Sequence, residues 1–267
     1  MIKKRRAVVL NKQSFKSFMC SLLLVAALLG SSVPSAMADT VVLLHGIAKS
    51  DKDMRKMAKS LQKSGYRTIN IHYPSRQKTI QQLVNDLHQI LQANPTSEDE
   101  KIHFVAHSMG GLLTRLYLHQ HRPMNIGRVV MLGTPNKGSE VADVLKNNWI
   151  YQAYYGPAGQ ELVTKRLSFH NVVQDIITYD LGIIAGDRSL DPISSMIIPG
   201  KDDGKVAVEN TKILGMLDHV TMHATHTFIM KNKGVIQQVH HFLEHGRFIN
   251  GTLMAAQSKD KQISTSK

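Results

Sequence analysis

His103-Phe104-Val105-Ala106-His107-Ser108-Met109-Gly110-Gly111 is the stretch that decides how this chain is read. Lys101 to Ala106 is apolar and β-branched enough to predict a strand, and Met109 to about His119 predicts a helix. Only His107 and Ser108 lie between them, so the chain must turn sharply and hold the serine in a strained conformation. Positions two before and two after such a serine face crowded backbone, and Ala106 and Gly110 are both small. Ala106 stands where the G-x-S-x-G pattern has its first glycine, and it meets the same steric demand. A serine presented this way is a nucleophile. The first N–H groups of the helix that follows have no carbonyl partner and point toward negative charge developing beside it. Met109 N–H is therefore expected as one oxyanion donor.

Working outward, short apolar runs alternate with amphipathic stretches. Strands are predicted at Thr40–Leu44, Tyr66–Ile71, Lys101–Ala106, Arg128–Leu132 and Leu181–Ala185, with further ones at Met196–Ile198 and Asp218–Met222. Helices are predicted at Asp51–Ser64, ended by Gly65, at Thr79–Gln92 with Ile80, Leu83, Val84, Leu87, Ile90 and Leu91 on one face, and at Val235–His245. This alternation indicates an α/β fold, a mostly parallel central sheet of about six strands covered by helices on both faces. The segment 145–180 fits the pattern least. It gathers Trp149, Tyr151, Tyr154 and Tyr155, and reads either as packing against the core or as a cap or pocket wall. On the second reading Trp149, Tyr154 and Tyr155 line a substrate pocket.

A serine nucleophile needs a base, and the chain has 14 histidines. In strand–turn–helix sites of this kind the partners follow in the order serine, acid, histidine, with the histidine on a loop after the last strand. His226 fits best, since it follows Asp218–Met222 and precedes the closing helix by a short loop; His223 is second. The spacing of His219, His223 and His226 also suits metal ligation, but no second ligand cluster accompanies it, so no metal is expected. The acid is Asp203, within Gly200-Lys201-Asp202-Asp203-Gly204-Lys205-Val206, or alternatively Asp187. Asp202 would point elsewhere if Asp203 faces the histidine. The loop His45-Gly46-Ile47, just past the first strand, is placed to supply a second oxyanion donor from Ile47 N–H, with Gly46 allowing close backbone approach. His45 reads as a structural hydrogen-bonder.

The ends and the composition bound the class. Residues 1–38 carry a basic start, an apolar run from Phe18 to Gly30 and Ala36-Met37-Ala38, the pattern of a secretory signal peptide cleaved after Ala38. The expected product is exported, to the periplasm or beyond. Cys20 is the only cysteine, so the mature chain would have none for a disulfide or for catalysis. Cleavage removes six basic residues and leaves 27 against 20 acids, a net charge of about +7. That charge is dispersed, with no basic block interleaved with aromatics, which argues against nucleic acid as a partner and leaves weak attraction to anionic envelope surfaces. Hydrophobic residues at 42% suit one globular domain, 39–250, followed by a polar tail, 251–267. Nothing points to an organic cofactor.

Taken together, these residues resemble the α/β-hydrolase superfamily, and within it the small bacterial lipases and lipase-like esterases. The resemblance is carried by Val42-Leu43-Leu44-His45-Gly46-Ile47, Ala106 to Gly111, Gly133-Thr134-Pro135-Asn136-Lys137-Gly138-Ser139, Asp203-Gly204-Lys205-Val206 and His226-Thr227-Phe228, in the expected order. It implies an α/β-hydrolase fold, Ser108, Asp203 and His226 as the triad, and Ile47 and Met109 as the oxyanion pair. The Asp-Gly-x-Val match favours Asp203 over Asp187. The implied substrate is an acyl ester or lipid. Acyl transfer to an alcohol and amide hydrolysis use the same groups, and a lipid-binding protein with a vestigial site is the non-enzymatic alternative.

Overall fold

The computed structural model describes residues 38–164 and 177–249, and the backbone of 252–253. The expected signal peptide therefore lies outside the described residues apart from Ala38, as do 165–176 of the 145–180 segment. The chain runs β1 (Thr40–Leu44), α1 (Asp51–Lys63), β2 (Arg67–Ile71), α2 (Ile80–Gln92), β3 (Ile102–His107), α3 (Met109–His121), β4 (Ile126–Leu132), α4 (Glu140–Leu145), α5 (Trp149–Gly159), β5 (Leu181–Gly186), α6 (Pro192–Ile197), α7 (Val208–Thr211), β6 (Asp218–Met222), α8 (Lys233–His245) and β7 (Thr252–Leu253). The strands form one sheet in the order β2-β1-β3-β4-β5-β6-β7. The first six are parallel, and β7 pairs antiparallel with β6 through two residues of the tail.

Strand β1 shows why the runs are apolar throughout rather than alternating. Val42 and Leu44 pack toward α2 and α3, while Val41 and Leu43 pack toward α1 and α8. All four are fully buried, as a parallel sheet covered on both faces requires. The helices begin and end where local chemistry directs. Thr79 and Gln82 exchange side-chain-to-backbone hydrogen bonds at the start of α2. Asn232 Oδ1 accepts from Gly234 N and Val235 N at the start of α8, and Gly246, at φ 70°, ends it. Among the described residues, no helix is long and apolar enough to cross a membrane.

One expected strand is a helix. Met196–Ile198 falls in and just after α6, which starts at Pro192 with Asp191 accepting from Ser194 N. Three apolar residues are too few to express a period, and Pro at the first turn with Asp at the cap is a helix start. Met196 points into solvent.

Burial also sets a pH dependence. His219 on β6 is buried against Thr211, and desolvation is the main cause that lowers its pKa to about 4, with Lys212 acting in the same direction. His107, His45 and His103 are shifted the same way, each chiefly by burial. In the unfolded chain these rings take a proton near pH 6.5. The stability gained by keeping them neutral is therefore complete above about pH 6.5 and is lost as pH falls toward 4. The midpoint of thermal unfolding is expected to drop by about 5–10 °C between pH 7 and pH 4.5, with a smaller drop for His219→Gln. A flat profile over that window would contradict this assignment.

Candidate active site

Ser108 follows β3 and caps α3 with φ 54° and ψ −125°, one of two non-glycine residues of positive φ among those described. The other is Ala48, in the loop after β1. Such conformations cost about 1–3 kcal/mol each and persist only where neighbours hold them. Ser108 N donates to Leu132 O at 2.9 Å, and Ser108 O accepts from Gly111 N and Thr134 Oγ1. The small residues are sterically required. A Cβ added at Gly110 would lie 2.7 Å from His45 O and 2.8 Å from Leu44 O, and one at Gly111 would lie 2.1 Å from Thr134 Oγ1.

The structure brings three of the expected side chains into one hydrogen-bonded line. Ser108 Oγ lies 3.0 Å from His226 Nε2, and His226 Nδ1 lies 2.8 Å from Asp203 Oδ2. The Asp203 side chain is almost wholly buried and that of His226 nearly so. With Asp203 as acceptor, Nδ1 carries the ring proton and Nε2 is left to accept from the serine hydroxyl. Asp203 is itself held, its Oδ1 accepting from Lys205 N and Val206 N. Two glycines make room for the pair. A Cβ at Gly133, at the end of β4, would lie 2.9 Å from Asp203 Oδ2 and 3.2 Å from His226 Nδ1; one at Gly186, at the end of β5, would lie 2.8 Å from Asp203 Cβ.

The alternatives go elsewhere. Asp187 pairs with the exposed His223 at 3.3 Å, Asp202 accepts from Ser195 Oγ and Gly204 N, and His219 meets Thr211. The three histidines thus point to three different partners.

The loop after β1 lies against the serine. A Cβ at Gly46 would be 3.0 Å from Ser108 Cβ and 2.8 Å from His107 Nδ1, so Gly46 itself packs against the nucleophile turn. Ala48 N donates to Ser75 Oγ, and Tyr73 OH donates to His45 O. The His45 ring stacks on Tyr73 at 3.9 Å, and its Nδ1 faces Gly46 O. Burial pushes the Tyr73 phenol up, so it remains a donor. Met109 is the buried first residue of α3, so its N–H has no acceptor within the helix.

The aromatic group of α5 divides. Tyr151 is buried and Tyr155 half-buried, with rings 4.6 Å apart, whereas Trp149 and Tyr154 are largely exposed, Tyr154 lying under Arg76. Of the expected pocket residues, only Tyr155 turns inward. Gly159, where a Cβ would meet both Tyr155 Cβ and Ile47 Cδ1, brings the end of α5 to the Ile47 loop. A cavity of about 260 Å³ flanks the His226 loop, walled by Ala224, Thr225, Phe228, Leu190, Arg188 and Lys231.

Residues 39–162 match the family model described as alpha/beta hydrolase fold. Its fold is the α/β-hydrolase fold. Solved structures that this chain resembles include the mature form of lipase BlEst2 from Bacillus licheniformis, at 23% identity and TM-score 0.63, covering 82% of this chain and 95% of that one. A metagenomic carboxyl esterase, MGS0156, is similar at 16% identity and TM-score 0.55, covering 74% and 68%. Phospholipase PlaB from Legionella pneumophila is similar at 15% identity and TM-score 0.55, covering 66% of this chain and 44% of that one. A search of curated proteins returns no match.

The sequence reading passed over His107, Tyr73, Ser75 and Gly186. Gly186 carried a legible signal, a glycine directly after the apolar run of β5. His107 lies directly before Ser108, where sequence gives no sign of a partner on a distant loop.

Proposed function

We propose that this protein is an exported serine carboxylic ester hydrolase acting on acyl esters or lipids. The observation that carries the reading is the line Ser108 Oγ–His226–Asp203, ending on a serine held at positive φ. Ser108 Oγ attacks the acyl carbonyl as His226 Nε2 takes its proton. Negative charge gathers on the carbonyl oxygen, which Ile47 N–H and Met109 N–H receive. The carbonyl re-forms, the carbon–oxygen bond to the alcohol breaks, and His226 gives its proton to the departing alkoxide. Water then attacks the acyl-enzyme, with His226 as base, and releases the acid and free Ser108. Asp203 holds the ring tautomer and balances the imidazolium. Inward-facing Tyr155, beside the Ile47 loop, is the pocket residue the geometry favours for the acyl chain.

A fluorophosphonate probe reports on both parts of the reading in one mass measurement. The exported chain is expected to start at Asp39 and to carry a single adduct on Ser108. An unlabelled serine, or a chain that keeps residues 1–38, would count against the corresponding part.

A further inference from the structure

His107, the residue before the nucleophile, faces the loop that carries the base. Its Nε2 lies 2.9 Å from the carbonyl oxygen of His226, 119 residues away in sequence, and the two rings sit 5.0 Å apart. We propose that His107 is a positioning residue that ties the base loop to the nucleophile strand through a hydrogen bond to the His226 backbone. The proposal rests on the ester hydrolase reading above.

A carbonyl oxygen only accepts, so Nε2 of His107 must carry the ring proton. Nδ1 is then a bare acceptor; it is buried, without a hydrogen-bond partner among the described residues, and packed against Gly46. A second proton there would find no acceptor. Burial, with His226, Lys49 and His45 around it, keeps the ring neutral well below the ordinary histidine range. Neutrality matters, because an imidazolium at this distance would oppose the proton that His226 must take from Ser108.

The bond completes a frame. His226 N donates to Asp203 O at 2.9 Å, and His226 Nδ1 faces Asp203 Oδ2, so one side of the residue is fixed to the acid loop. His107 fixes the other side to β3. Without it the carbonyl of His226 loses its link to the strand that leads into Ser108, and the 3.0 Å contact between Nε2 and Oγ loses that support. Geometry at that contact governs the proton transfer, and displacements well under 1 Å are costly there.

The test compares three variants of the full chain on acyl nitrophenyl esters. Gln places an amide N–H at the reach of His Nε2, whereas Asn is one methylene shorter and Leu has no donor. His107→Asn and His107→Leu are expected to lower kcat about 10- to 100-fold with KM within about twofold, while His107→Gln keeps at least about half of wild-type kcat. Equal loss in Gln and Leu, or near wild-type kcat in Asn and Leu, overturns the proposal. Ring 15N spectra of the wild-type protein give a readout independent of turnover. His107 is expected as the neutral Nε2–H tautomer at pH values where an ordinary histidine ring is already protonated, and an Nδ1–H tautomer overturns the proposal. If the spectra agree but the wild type cleaves no ester, the failure belongs to the hydrolase reading.

Discussion

Ser108→Ala is expected to lower kcat on acyl nitrophenyl esters by about 10⁴- to 10⁶-fold while the protein stays folded. The size follows from the arrangement. In the proposed reaction, attack, proton removal and the covalent intermediate all run through one oxygen atom, 3.0 Å from His226 Nε2. Thr134 Oγ1, the hydroxyl that touches the turn, donates to Ser108 O. What remains is solution-like attack by water, aided by the oxyanion groups. The fold should tolerate the change. The turn is pinned by backbone bonds to Leu132, Gly111 and Thr134, none of which uses the hydroxyl. One hydrogen bond is lost, worth about 1 kcal/mol, which is a few degrees in a domain of this size. Circular dichroism and thermal unfolding on the assayed sample separate the two effects. A variant retaining more than about a tenth of wild-type kcat would remove Ser108 from the chemistry.

Asp203→Asn is expected to cost about 10⁴-fold in kcat, against less than about threefold for Asp187→Asn. The contrast tests which carboxylate acts. Asp203 is buried and accepts from Nδ1 of the ring that faces Ser108, and an amide nitrogen in place of Oδ2 would instead donate to that ring. His226 would then be stabilised with its proton on Nε2, pointing at the serine and unable to accept from it. Oδ1 of the new side chain can still take the bonds from Lys205 N and Val206 N, so the loop keeps its shape and the loss falls on rate. Asp187 meets an exposed histidine at 3.3 Å, where solvent screens the pair and its contribution is small. Similar losses in the two variants would mean that the acid has been assigned to the wrong loop.

Much of the fold was legible because its determinants are local. The continuous apolar runs of β1, β3, β4 and β5 reflect burial on both sheet faces, and the strong helical period of α1, α2 and α8 reflects burial on one. The helix α6 departs from the expected strand because three apolar residues carry no period, while Asp191–Pro192 supplies a helix start. The pocket reading of Trp149 and Tyr154 came from composition alone, and composition does not say which side of a helix faces inward; the chain turns both outward and Tyr151 and Tyr155 in.

By itself the sequence determined the turn at Ser108, the class of sheet that carries it and the chain order of its partners. These follow from sterics between near neighbours: a serine at positive φ needs small residues two positions either side, wherever the rest of the chain lies. Tertiary structure decided the rest. His226 was preferred over His223 by position and Asp203 over Asp187 by resemblance, but only the folded sheet brings residues 118 and 23 positions apart within hydrogen-bond reach. The same holds for His107, adjacent to Ser108 in sequence but defined by a carbonyl on a distant loop. Such pairings depend on which strand ends meet at one edge of the sheet, and the period of a strand or helix holds no record of its neighbours.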